Sequence, residues 1–218
     1  MSDILAITQL HAGYGEGDIL KGIDIKLPAG QVMTIIGPNG SGKSTLLKTL
    51  AGLLTVRQGD IVLKGESLKN LSAPRRVRAG LSYVPQEYNV FRNLTVLENL
   101  KIAREFMADT KARGDAVISD ELLELFPDLR GKFKARAGNL SGGQRQMLAL
   151  ACALAVRPEV LMLDEPSTGL SPKYMTDIFE TVRTVNARGV SVLMVEQNAI
   201  EALRISTPAW SWPMAACA

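Results

Sequence analysis

The run Gly37-Pro-Asn-Gly-Ser-Gly42-Lys43-Ser44 constrains this 218-residue chain more than any other stretch. It has the spacing G-x-x-x-x-G-K-[ST], follows the apolar segment Gln31–Ile36 and leads into the helix-like run Ser44–Leu54. Glycines let the backbone fold until several N–H groups point at one anion. The helix behind them presents its positive end to the same charge. On this reading Gly37, Pro38, Asn39, Gly40, Ser41, Gly42 and Thr45 cradle the phosphates of ATP, Lys43 reaches the outer phosphates, and the Ser44 hydroxyl holds Mg²⁺. A glycine turn that merely caps a helix is the competing explanation, and the strand in front of the loop argues against it. Strand, glycine loop and helix together open a parallel, layered sheet, so the expected fold class is α/β of the P-loop NTPase type.

Two β-type stretches, Ile4–Leu10 and Ile19–Leu27, precede the loop and flank the turn Gly13-Tyr14-Gly15, giving an N-terminal antiparallel β portion. Ile61–Leu63 and Leu81–Val84 read as short strands. Val160–Leu163 and Val190–Val195 are near-continuous apolar runs, as expected of strands covered on both faces, with a helix from Pro172 to Asn186 between them. Between these regions the pattern turns helical. Thr95 with Glu98 forms a capping box before an amphipathic stretch from Val96 to Met107, and Ser119 precedes a helix from Asp120 to Phe126 that Pro127 closes. The chain therefore reads as one nucleotide-binding domain over 1–218, with a helical subdomain inserted at about 87–140 and an atypical tail at 206–218.

The chain is 46% hydrophobic and 22% charged, and its longest apolar run, Met147–Val156, is too short to span a bilayer. Met1-Ser2-Asp3 does not begin a secretion signal, and Cys152 and Cys217 make no disulfide framework, so a cytoplasmic location is expected. A net charge of +3 without a basic stripe interleaved with aromatics gives no reason to expect nucleic acid as a partner.

The strand Val160–Leu163 ends in Asp164-Glu165. Asp164 at its carboxyl end would face the phosphate loop and hold Mg²⁺, and Glu165 could take a proton from an attacking water. Leu140-Ser141-Gly142-Gly143-Gln144 supplies a second helix start. Ser141 is the N-cap, Gln144 completes a capping box, and the two glycines leave the first turn bare for an anion. That helix should run to about Val156, before Pro158.

Together these motifs resemble the signature of ABC ATPases, over Ile4 to about Ile205. The resemblance implies two subunits packed head to tail, so that Ser141, Gly142, Gly143 and Gln144 of one meet the nucleotide held on Lys43 of the other. It also implies that Tyr14 stacks on adenine, that Gln86 contacts Mg²⁺, and that Ser167–Ser171 touches the partner ATPase subunit. The implied activity is ATP hydrolysis driving a membrane permease, with the chain peripheral on the inner face of the membrane and a solute-binding protein engaged indirectly. Leu125–Leu129, Gln146–Ala149 and Val195–Ala199 resemble the branched-chain amino-acid importer ATPases, which favours a sister subunit over a second copy as partner. A urea or other amide importer is the assignment left open beside it. A soluble non-transport ABC ATPase and an inactive truncated subunit are the alternatives.

Three departures stand out. Gln197 occupies the place where most ABC ATPases carry histidine; a glutamine there can donate a hydrogen bond to the γ-phosphate but carries no charge. Cys152 stands where relatives usually have arginine, and the sequence offers no account of it. Ser206–Ala218 holds both tryptophans, two prolines and no charge, poor material for the strand and helices that relatives have there. A truncated or altered C-terminus is therefore expected, and exposed tryptophans would lower stability. Under one choice of codons for Trp210–Cys217, a shifted frame reads Val-Leu-Ala-Asn-Gly-Arg-Val, similar to what the family places after this glutamine; the gene's nucleotide sequence tests that.

Overall fold

The computed structural model describes residues 2–105, 120–197 and 209–211. Two sheets organise them. β1 (Asp3–Ala12) and β2 (Leu20–Pro28) pair antiparallel, and β4 (Gln58–Leu63) and β5 (Glu66–Ser67) complete a sheet of order β2-β1-β4-β5. The second sheet runs β6 (Leu81–Val84), β7 (Val160–Asp164), β8 (Ser191–Glu196), β3 (Val32–Ile36), β9 (Ala209–Ser211), with every pairing parallel.

Both faces of this second sheet are covered, which is why β7 and β8 read as unbroken apolar runs. Val160 and Met162 of β7 face the antiparallel sheet and α1 (Lys43–Leu50), where they join Leu46, Leu47 and Leu50. Leu161 and Leu163 face the other side, against α5 (Gly142–Ala155) and α6 (Pro172–Ala187). The short α2 (Ala73–Arg78) precedes β6. The helical insert contributes α3 (Val96–Glu105) and α4 (Asp120–Leu125), with one-turn 3₁₀ segments at Pro127–Leu129 and Ala137–Asn139.

Helix boundaries move by a few residues from the sequence reading. α1 stops at Leu50 rather than Leu54 because the Gly52 and Leu53 N–H groups fold back onto the Thr49 and Lys48 carbonyls, a Schellman closure. Met107 and Ser119 lie outside the described residues. The capping box at Thr95 forms as expected: its N–H donates to Glu98 Oε2 at 2.7 Å, and the Glu98 N–H donates to its hydroxyl at 3.2 Å.

The expectation of no terminal strand is wrong. Ala209–Ser211 adds to the sheet edge in register with Thr34–Ile36 of β3. Tryptophan suits strands, and the three residues of β9 contain no proline. The terminal helices, Trp212 and the side chain of Trp210 fall outside what is described.

Candidate nucleotide site

The carboxyl ends of β3, β7 and β8 meet above α1, and the loops leaving them enclose an open cleft of about 420 Å³. Asn39, Gly40 and Gly42–Thr45 of the phosphate loop line it with Ile19, Gln86, Glu165 and Gln197. Gly42 has φ 93°, a left-handed conformation that a side chain would resist, and this turns the chain into α1. Lys43, 4% exposed, donates to the carbonyls of Gly37 and Pro38, both at 2.7 Å. Desolvation lowers the Lys43 pKa, against the opposing pull of Glu165 and Asp164. A buried ammonium tied only to neutral carbonyls fits a site made for an anion.

The two acids play unlike parts because their partners differ. Asp164 Oδ1 accepts from the Ser44 hydroxyl at 2.9 Å, and Oδ2 from the Tyr83 hydroxyl at 3.1 Å. Burial raises the Asp164 pKa, and the two hydroxyls pull it back. A hydroxyl and a carboxylate facing each other at the phosphate loop are the hard oxygen donors that Mg²⁺ prefers, so the residues present fit that ion. Glu165 takes φ 47°, rare for a residue with a side chain, in a turn closed by the Thr168 N–H onto its carbonyl at 3.2 Å. A single oxygen, Oε2, accepts from Gln197 at 2.6 Å, Gln86 at 3.0 Å and the Thr168 hydroxyl at 3.2 Å. The two glutamines and the acid expected to share one reaction thus already share one hydrogen-bond cluster.

Glu196, inside the segment Val195–Ala199, has a structural part that its motif does not announce. It is fully buried at the end of β8, where its two oxygens accept from the Ser167 N–H at 3.0 Å and the Gln197 N–H at 3.2 Å. Burial raises its pKa, and these hydrogen bonds counter the rise. Glu196 therefore links the loop after Glu165 to Gln197. The signal was an acid closing an otherwise apolar strand.

Ser141–Gln144 lie outside the cleft lining. The capping box is present, with the Gln144 N–H donating to the Ser141 hydroxyl at 3.3 Å and the Ser141 N–H to Gln144 Oε1 at 3.1 Å. The expectation that both glycines leave this turn bare fails at Gly143. A Cβ there would come 2.1 Å from the Tyr174 ring of α6, whereas one on Gly142 meets nothing within 4 Å. Gly143 is a packing requirement. Gly143→Ala should destabilise the fold by about 1–3 kcal/mol in urea unfolding, and adding Tyr174→Ala should recover part of that loss. No recovery would remove Tyr174 from the explanation.

Tyr14 is half exposed, and its hydroxyl accepts from Lys48 of α1 at 3.4 Å. The Gln86 segment is tied to α5 through Asn89, which donates to Gln146 at 2.7 Å. Cys152 borders a second, mostly apolar cleft of about 330 Å³ between α2, β6, α3 and α5. Burial pushes its thiol up to about 12, which leaves it unreactive. Among the described residues no helix is long and apolar enough to cross a membrane.

Residues 20–168 match the family of ABC transporters. The chain is 45% identical to the "Probable branched-chain amino acid transport ATP-binding protein LivF" of Archaeoglobus fulgidus, over 95% of this chain and 87% of that one. It is 40% identical to the "High-affinity branched-chain amino acid transport ATP-binding protein BraG" of Pseudomonas aeruginosa, over 95% and 88%. Among solved structures, the ADP conformation of an ATP-binding cassette of an ABC transporter superposes with a TM-score of 0.81 at 28% identity, covering 98% of this chain and 89% of that one.

Proposed function

Because the chain belongs to the ABC transporter family, as an ATP-binding and ATP-hydrolysing subunit, we propose that it powers the import of branched-chain or related amino acids through a membrane permease. The observation that carries the ATPase half is the cluster on Glu165 Oε2, which joins the acid to Gln86 and Gln197 at the edge of the phosphate cleft. The identities of 45% and 40% to the two branched-chain relatives support the amino-acid half.

In the proposed reaction the phosphate-loop N–H groups and Lys43 bind the phosphates, and Lys43 leaves its two carbonyls for the outer ones. Ser44, Asp164 and Gln86 would hold Mg²⁺, which when bound neutralises charge on the phosphates. Glu165 takes the proton from the attacking water. Gln197 donates to the γ-phosphate and orients that water, and Glu196 and Thr168 keep Gln197 and Glu165 in place. Gln197→Ala should lower turnover by about 10²-fold and leave ATP affinity nearly unchanged; unaltered turnover would remove Gln197 from the mechanism.

Residues 1–218 act as one nucleotide-binding domain. A second ATPase subunit, a sister or another copy, completes each site by presenting Ser141, Gly142 and Gln144 to the nucleotide on Lys43. The position of this helix start outside its own cleft supports that arrangement. The permease anchors the chain on the inner face of the membrane, and a solute-binding protein delivers the cargo. Radiolabelled leucine uptake in cells deleted for the gene tests the proposal. Restoration by the wild type but not by Glu165→Gln supports it, and leucine uptake indifferent to the gene contradicts it.

A further inference from the structure

We infer that Arg57 is a positioning residue for nucleotide binding, whose guanidinium fixes the turn carrying Tyr14 so that the ring stands ready for adenine. The inference rests on the adenine-stacking role proposed for Tyr14.

The turn reads Gly13-Tyr14-Gly15-Glu16-Gly17. A segment with a glycine at every second position has many conformations to lose, so holding one side chain ready on it is entropically costly. At its foot the Ile19 N–H donates to the Ala12 carbonyl at 2.9 Å. Above that, Arg57, in the connection between α1 and β4, makes the ties. One guanidinium nitrogen donates to Asp18 Oδ1 at 2.6 Å and to the Glu16 carbonyl at 3.0 Å. The other donates to the Gly15 carbonyl. Arg57 is itself anchored, because its N–H donates to the His11 carbonyl of β1 at 2.9 Å, and His11 Nδ1 stands 3.5 Å from Asp18 Oδ2.

An exposed ion pair is worth little by itself. The planar fork matters more, since it gathers a carboxylate and the two carbonyls that directly follow Tyr14, and lysine offers no such geometry. From the other side Lys48 of the phosphate-loop helix donates to the Tyr14 hydroxyl. Tyr14 is therefore held between a clamped turn and the helix that binds the phosphates, and Ile19 beside the turn lines the cleft. Ordering done before binding is not charged to the ligand. Loss of Arg57 should then weaken recognition of the base and spare that of the phosphates.

The test is calorimetric titration of the full chain with ATP and, separately, with tripolyphosphate, both with Mg²⁺. The variants are Tyr14→Ala, Arg57→Ala, the double variant and Asp18→Asn. Each alanine variant should bind ATP about 5- to 20-fold more weakly, in the range of one base–aromatic stack. The double variant should be no weaker than Tyr14→Ala alone. Asp18→Asn should show a smaller loss, and tripolyphosphate affinity should be the same throughout. Equal weakening of ATP and tripolyphosphate by Arg57→Ala would overturn the inference, as would additive losses in the double variant. Unchanged ATP binding by Arg57→Ala beside a loss in Tyr14→Ala would overturn it while sparing the role of Tyr14. Unchanged binding by Tyr14→Ala would overturn both.

Discussion

Replacing Glu165 with glutamine should lower ATP turnover by about 10²–10⁴-fold while the chain still folds and binds ATP, the cost expected of losing a general base. The substitution is nearly isosteric, and its amide still offers one oxygen to the donors that meet at Oε2: Gln197, Gln86 and Thr168. The strained backbone at φ 47° is set by the turn to Thr168 and by the Glu165 N–H donating to the Val195 carbonyl at 2.9 Å, and neither contact uses the side chain. The variant therefore removes basicity and leaves geometry. Phosphate release in rapid mixing, with ATP binding measured on the same sample, checks this. Turnover within a few-fold of wild type would remove Glu165 from the role of base.

The second large effect lies away from the cleft. Arg76→Ala should destabilise the fold by about 3–5 kcal/mol, in the range of a buried charged group whose partners are left behind. Arg76 is 2% exposed and has backbone carbonyls as its hydrogen-bond acceptors: Thr49 at 2.7 Å, Leu50 at 2.9 Å, Leu71 at 3.0 Å and Lys69 at 3.2 Å. Thr49 and Leu50 end α1, so the guanidinium adds donors to carbonyls beyond the reach of the i+4 helical ladder and sets a positive charge at the negative end of that helix. Arg76→Ala removes the guanidinium from all four, leaving Thr49 only the Gly52 N–H. Because α1 carries the phosphate loop, the loss should also raise the ATP concentration needed to protect the fold from urea. Arg76→Lys should recover only part of the stability, since an ammonium lacks the fork. A urea midpoint unchanged in Arg76→Ala would show that water reaches those carbonyls.

The parts of this site that are local in sequence could be read from it. The loop from Gly37 to Ser44, the boxes at Thr95/Glu98 and Ser141/Gln144, and the strand ending in Asp164 each declare themselves within a few residues, because a turn, a cap or a doubly covered strand makes its demand locally. β6 was placed to the residue for the same reason. What escaped depends on partners far along the chain. Nothing near Gly143 announces that Tyr174 fills the space beside it, and nothing near Arg76 announces the end of α1. Glu196 earns its place through the N–H of Ser167, on another loop. β9 escaped because it is only three residues long in a segment with prolines at 208 and 213, whereas its pairing with β3 is made by backbone groups that any residue carries. Long-range packing overrode local preference at each of these positions.

Phosphate release from ATP, with and without Mg²⁺, decides whether this chain hydrolyses ATP with Glu165 as base. The measurement uses the 218-residue chain assembled with the permease proposed for it, beside Glu165→Gln. Release should depend on Mg²⁺, saturate with ATP in the wild type and fall by about 10²–10⁴-fold in the variant. A wild-type chain that binds ATP in that assembly yet releases phosphate no faster than Glu165→Gln would contradict it.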